Sequence, residues 1–209
     1  MRQNATDSLL EDLTSARVIA FHQECFQIND WPTRIAIQKA SGIWKPIAEN
    51  HFNNSSLWDE EDQARRTDVQ DSTIAQNKRR IDAYNQARND AIEAVNEIIL
   101  GVLASITLDD DAWLNSETAG SIIDRMSILS LKIKAMTFQR NQHSLNSERY
   151  QELQKKLDQL KTQEQDLAHS LDQLLYAFSQ GQAYFKQYRQ HKMYNDPNLN
   201  PYLNDTIQK

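Results

Sequence analysis

The sequence predicts an all-α fold, an antiparallel helical bundle of about five helices. Three observations carry that: a scarcity of helix breakers, apolar residues recurring at helical spacing, and a long heptad run toward the C-terminus. The 209 residues include four Gly and four Pro, and the prolines stand at 32, 46, 197 and 201. Residues 47–196 are therefore free of the residue that most disrupts a helix interior. A chain of this length can bury the core of one domain, taken here as 1–209. Hydrophobic residues make up only 39% and Gln and Asn are abundant, which suits amphipathic helices with broad wet faces.

The first helix is expected to begin at Asp7 or Ser8, where Ser8 and Glu11 have capping-box spacing. Leu10, Leu13, Ala20 and Phe21 give it a core face, and it ends before Asn29-Asp30-Trp31-Pro32. Residues 29–46 hold two prolines, a glycine, Trp31 and Trp44, and read as an irregular packed connection. A second helix runs from about Pro46, a residue suited to a first turn, to about Arg66. The third spans about 72–104. Turned by about 100° per residue, Ile81, Tyr84, Ala91, Val95, Ile98 and Val102 fall in one arc, with Asp82, Gln86, Asn89 and Glu93 on the opposite, solvated side. After an acidic loop at 109–111, Ser116 is the expected cap of a fourth helix that carries Ile122, Met126, Leu129 and Ile133 and ends near Gln139.

The last helix is expected over about 147–190. Leu153, Leu157, Leu160, Leu167, Leu171, Leu174 and Phe178 occupy a heptad frame interrupted at Glu164, and the run crosses Gly181 with a bend. Its seam is a candidate surface for a homo-oligomer or a partner helix. Residues 195–209, with two X-Pro steps, are expected to form an extended tail.

A net charge of -6 leaves no basic footprint, which argues against nucleic acid as a partner. Cys25 is the one cysteine, so no internal disulfide or thiolate zinc site can form and a reducing compartment is expected. The N-terminus has no apolar signal core, and the longest apolar stretch, 98–106, is far short of the roughly 20 residues that span a bilayer. The expectation is a soluble, cytoplasmic protein.

Polar residues inside apolar arcs need partners or a function, because burying an unpaired polar group costs roughly 2 to 7 kcal/mol. On the second helix Asn54, Glu61 and Arg65 enter the arc of Leu57, Trp58 and Ala64; on the third, Arg88 lies between Tyr84 and Ala91. On the fourth, Glu117 and Asp124 continue the stripe of Ile128, Leu131 and Ala135, and His51 precedes Asn54 by one turn. Two readings stand. One is a buried ion-pair network, Glu61 with Arg65 or Arg88 and Asp124 with a cation, that serves packing alone. The other is a pocket in which Glu61, Asp124 and Glu117 act as acid or base, while Glu61, Asp62 and Asp124 hold a divalent metal such as magnesium. His51, Asn54, Trp58, Arg65, Arg88 and Arg125 would then contact a ligand, with the arginines receiving phosphate or carboxylate. Residues 184–194, with Phe185, Tyr188, Tyr194, Lys186, Arg189 and Lys192, mix rings and cations and form a further candidate for a phosphate and a base or sugar. No glycine-rich phosphate loop, nucleophile elbow, Glu-x-x-His or Cys pair occurs.

Three passages together resemble the bacterial domain of unknown function family numbered 4254: HFNNSSLWDEEDQAR at 51–65, NSETAGSIIDRMSILSLKI at 115–133, and KMYNDPNLNPYL at 192–203. The first is similar to the pattern His-x-x-Asn-Phe-x-Leu-Trp-His-x-Glu-Asp through His51, Asn54, Leu57, Trp58, Glu61 and Asp62. The second is similar to Ser-Glu-Thr-Pro-Gly-Ser…Asp-Arg through Ser116, Glu117, Thr118, Gly120, Ser121, Asp124 and Arg125. Ser55 stands where that pattern has Phe, Asp59 where it has His, and Ala119 where it has Pro. Members of the family tend to be encoded beside glycosyltransferases of lipopolysaccharide and other surface polysaccharides. The resemblance therefore implies a protein accessory to, or an enzyme of, surface-polysaccharide synthesis that binds a sugar-phosphate or nucleotide-sugar. Two other classes compete with it. One is an all-α, metal-dependent nucleotide pyrophosphohydrolase with Glu61-Asp62 facing Asp90 and Glu93; the other is a helical scaffold or adaptor for a glycosyltransferase.

Overall fold

The computed structural model describes residues 12–188, 198–200 and 202. In chain order the elements are α1 (Ser15–Cys25), α2 (Ile35–Lys39), α3 (Trp44–Gln63), α4 (Asp71–Leu103), β1 (Trp113–Leu114), α5 (Ala119–Asn141), α6 (Glu148–Ser179) and β2 (Ala183–Tyr184). Among the described residues the fold is all-α apart from a two-stranded parallel sheet that pairs Trp113 with Ala183 and Leu114 with Tyr184.

Helix α1 follows the non-helical residues Leu13 and Thr14. Thr14 adopts extended φ/ψ and its hydroxyl accepts from the Arg17 N–H, so the helix begins there; the expected Ser8–Glu11 cap lies outside the described residues. Its buried residues are Ser15, Val18, His22 and Cys25, with Leu13 buried just before it, whereas Ala20 is exposed and Phe21 packs at the core margin. Ser15 fastens α1 to α6: its N–H and hydroxyl both donate to the Asp172 carboxylate, at 2.8 and 2.6 Å. The connection expected to be irregular contains the five-residue helix α2, entered through Asp30 at φ 58° and the cis Trp31-Pro32 bond.

Helices α3 and α4 form one hairpin and α5 and α6 a second, each across a short connection, and α5 also packs against α1, α3 and α4. Ile43, Ile47, Val95, Ile99, Ile122, Ile123, Met126, Leu171, Leu174 and Phe178 form the main core between the hairpins.

Several boundaries and faces differ from expectation. Thr118, not Ser116, caps α5, its hydroxyl accepting from the Ser121 N–H at 3.1 Å. Helix α6 stops at Ser179 and does not cross Gly181, which sits at φ 74° with its α-carbon against the Thr107 carbonyl, a position closed to a side chain. Asn89, expected on a solvated face, is buried together with Asn77 and Asn96, because α4 is covered on two sides, by α3 and by the start of α5. The Asn96 carboxamide accepts the Gly120 N–H at 2.9 Å, and a β-carbon at Gly120 would stand 2.6 Å from that oxygen. Glycine at 120 therefore permits the approach of α5 to α4. The heptad residues Leu153, Leu157, Leu171, Leu174 and Phe178 are buried within this chain, so the seam proposed for a partner is largely covered by α5 and α1. Of the expected tail, all but 198–200 and 202 lies outside the described residues. No helix among the described residues is long and apolar enough to cross a membrane.

Candidate functional site

The predicted site residues separate into three places. The first is a buried polar layer between α3 and α5. Asp124 accepts from the carboxamide nitrogens of Asn50 at 2.8 Å and Asn54 at 2.9 Å, and Asn54 also reaches the Ser127 hydroxyl at 3.0 Å. The Arg88 Nε lies 3.9 Å from the same carboxylate. His51 bonds the Ser127 hydroxyl through Nδ1 at 2.8 Å, and its ring is sandwiched between Trp31 and His22, with centroid separations of 5.3 and 4.4 Å. Burial pushes the His22 pKa down to about 3 and His51 well below its ordinary value, the neighbouring His22 adding to the effect on His51. This layer unites His51, Asn54, Arg88 and Asp124; Asp124 and Ser127 take the carboxamides and His51 Nδ1, while His51 Nε2 and Arg88 Nε are buried without a hydrogen-bond partner.

The second place is the surface. Glu61 is paired with Arg65 one turn on, both largely in solvent, so neither joins Asp124. At this end of α3 Glu60 is the carboxylate turned inward, bridged by Arg80 at 3.2 Å. Glu117 pairs with Arg125 at 2.9 Å on the outer side of α5 and does not approach Asp124. Asp90 takes the Gln86 carboxamide on an exposed face of α4. Among the described residues no group of three or more His, Cys, Asp or Glu side chains is placed to hold a metal ion, so Glu61, Asp62 and Asp124 do not form a ligand set. Phe185 is buried against Phe178 and Tyr188 is exposed, while Arg189, Lys192 and Tyr194 lie outside the described residues.

The third place is a groove of about 350 Å³ between α3 and α5 that holds the predicted Trp58 and Asp62. Trp31, Pro32, Ser55, Trp58, Asp59 and Asp62 line one side, and Leu131, Lys134, Ala135, Phe138 and Gln139 the other. Local helix geometry makes this surface: Trp58, Asp59 and Asp62 sit at spacings of one, three and four on α3, while Leu131, Lys134, Ala135 and Phe138 form an i, i+3, i+4, i+7 stripe on α5. Its back wall is fixed from inside the core. The Trp31 indole donates to the Ser55 hydroxyl at 3.0 Å, that hydroxyl donates to the His51 carbonyl at 2.8 Å, and the Trp31 ring lies on His51. Burial raises the Asp59 pKa, the Asp62 and Glu60 charges raise it further, and Lys134 opposes them. The Lys134 ammonium stands 4.3 Å from the centroid of the Phe26 ring. Rings beside two carboxyl side chains and a hydroxyl are suited to a ligand with an apolar face and a hydroxylated rim.

Two further depressions run between α5 and α6. One, of about 510 Å³, is lined by Glu117, Arg125, Lys132, Gln163 and Asp166; the other, of about 590 Å³, includes Trp113 and Tyr176, and both include Glu117 and Ser170. Trp31, Asp59, Lys134 and Phe138 were missed from the sequence. The α5 stripe was visible as far as Ala135 and became a wall only once Trp31 was folded opposite it.

Fold and site together define a helical-bundle protein with a ring-walled polar groove. The chain belongs to the family described as protein of unknown function DUF4254, whose model matches residues 44–187, from the start of α3 to beyond β2. No curated protein and no solved structure matches the chain.

Proposed function

We propose that the chain is a saccharide-binding protein of surface-polysaccharide assembly, and that the groove between α3 and α5 takes the glycosyl ring of a sugar-phosphate or nucleotide-sugar. One observation carries the reading: Trp31, Trp58 and Phe138 line a groove that also holds Asp59, Asp62 and Lys134. A pyranose presents axial C–H groups on one face and hydroxyls around its edge. The ring faces cover the first, and the carboxyls and Ser55 meet the second. The two aspartates outnumber the single lysine, so the phosphate of such a ligand is placed outside the groove, toward solvent. The gene neighbourhood implied by the resemblance at 51–65 and 115–133 supports the polysaccharide context.

Calorimetric titration of the intact chain with hexoses, hexose phosphates and nucleotide-sugars tests this. Trp58→Ala is expected to weaken the bound saccharide by on the order of tenfold while leaving the thermal midpoint within a few degrees. Equal affinity in Trp58→Ala and in the parent chain would remove the groove as the site.

A further inference from the structure

The saccharide reading leaves open which ring the groove selects, and its charge and walls narrow the choice. Asp59 and Asp62 are one turn apart on α3, a spacing that puts β-carbons about 5–6 Å apart, and both line the groove. Neither carboxylate has an ion-pair partner within 4 Å among the described residues. Lys134, the one cation in the lining, has its ammonium over the Phe26 ring. The pair is thus a like-charged couple facing a cavity whose remaining walls include the rings of Trp31 and Trp58.

We infer that the groove selects a saccharide ring bearing a free, protonated amine, held between the Asp59 and Asp62 carboxylates and the two indole faces. An ammonium on the ring would relieve the repulsion between the aspartates, and indole faces attract cations that hydrocarbon walls do not. A divalent metal fits less well, since it needs about six oxygen ligands and two of the walls are indoles. The inference rests on the saccharide reading, and its test separates the two.

The intact chain is titrated near neutral pH with glucosamine, glucose, N-acetylglucosamine and ethanolamine. Glucosamine is expected to bind on the order of tenfold more tightly than glucose or N-acetylglucosamine, with the advantage shrinking as salt is raised. Ethanolamine, which has the amine without the ring, is expected to bind more weakly than glucosamine. Asp59→Asn and Asp62→Asn are each expected to weaken glucosamine more than glucose, so that the ratio of the two affinities falls toward one; both positions are exposed, so folding is preserved. Asp59→His is expected to do the same. Equal binding of glucosamine and glucose to the parent chain overturns the amine preference and leaves the saccharide reading standing. Ethanolamine binding as tightly as glucosamine overturns the ring requirement, and no binding of any sugar overturns both.

Discussion

Asp124 illustrates how much of this site is a matter of single residues. Helical phase placed Asn54, Arg88, Asp124 and His51 on facing arcs, and they do converge, because near the middle of a helix the arc is a reliable guide to what the neighbouring helix covers. The same phase put Glu61 and Arg65 there too, and it failed because the residue turned inward at that end of α3 is Glu60, which leaves Glu61 and Arg65 largely in solvent. Asp124→Ala leaves the carboxamides of Asn50 and Asn54 without their acceptor and Arg88 without its counter-charge. Urea unfolding should show a loss on the order of 3 kcal/mol. Asp124→Asn should cost less and retain saccharide binding; abolished binding in a folded Asp124→Asn would return this residue to the chemistry. His22 makes a second case, since both its ring nitrogens are buried without hydrogen-bond partners. Its pKa falls from 6.5 to about 3 in the folded chain, so below about 6.5 the unfolded state binds a proton that the folded state does not. The stability that this histidine contributes is full above 6.5 and is lost as pH falls toward 3. His51 acts in the same direction. Urea midpoints taken from neutral pH down to about pH 5 should decline, and His22→Leu should flatten the decline at little cost near neutrality. An unchanged slope in His22→Leu would mean the imidazole is not held neutral.

Among the elements, α5 carries the most consequence. Its inner face holds Ile122, Ile123 and Met126 in the core, Asp124 and Ser127 sit in the polar layer, and Leu131, Lys134 and Phe138 form the groove wall. Helix identity was legible from breaker distribution and periodicity, to within a few residues for α3, α4 and α5. What stayed hidden were features set by contacts distant in sequence: the Thr118 cap, the end of α6 imposed by Gly181 against Thr107, and the burial of Asn89. The heptad stripe of α6 could be read with either of two partners, a second chain or α5, and the same hydrophobic spacing serves both. Here α5 and α1 cover it. Leu157, 1% exposed, should therefore cost about 2–5 kcal/mol as Leu157→Ala, with a thermal midpoint independent of protein concentration. A midpoint that climbs with concentration would show the seam shared between copies.

At the scale of the whole molecule, two helical hairpins enclose one main core, and the connection through Trp31 lays a ring across the space between α3 and α5. That arrangement makes the four tryptophans internal reporters. Trp31 and Trp58 line the groove, the Trp44 indole donates to Asp12 at 2.9 Å beside α1, and Trp113 is an exposed strand residue on the α5–α6 side. Nothing in sequence order separates them; folding does. The most direct test is therefore to follow the four indole N–H resonances while glucosamine or a nucleotide-sugar is added to the intact chain. The account predicts that the Trp31 and Trp58 signals move together and saturably while Trp44 and Trp113 stay in place. Movement confined to Trp113, or four unmoved indoles at saturating ligand, would contradict it.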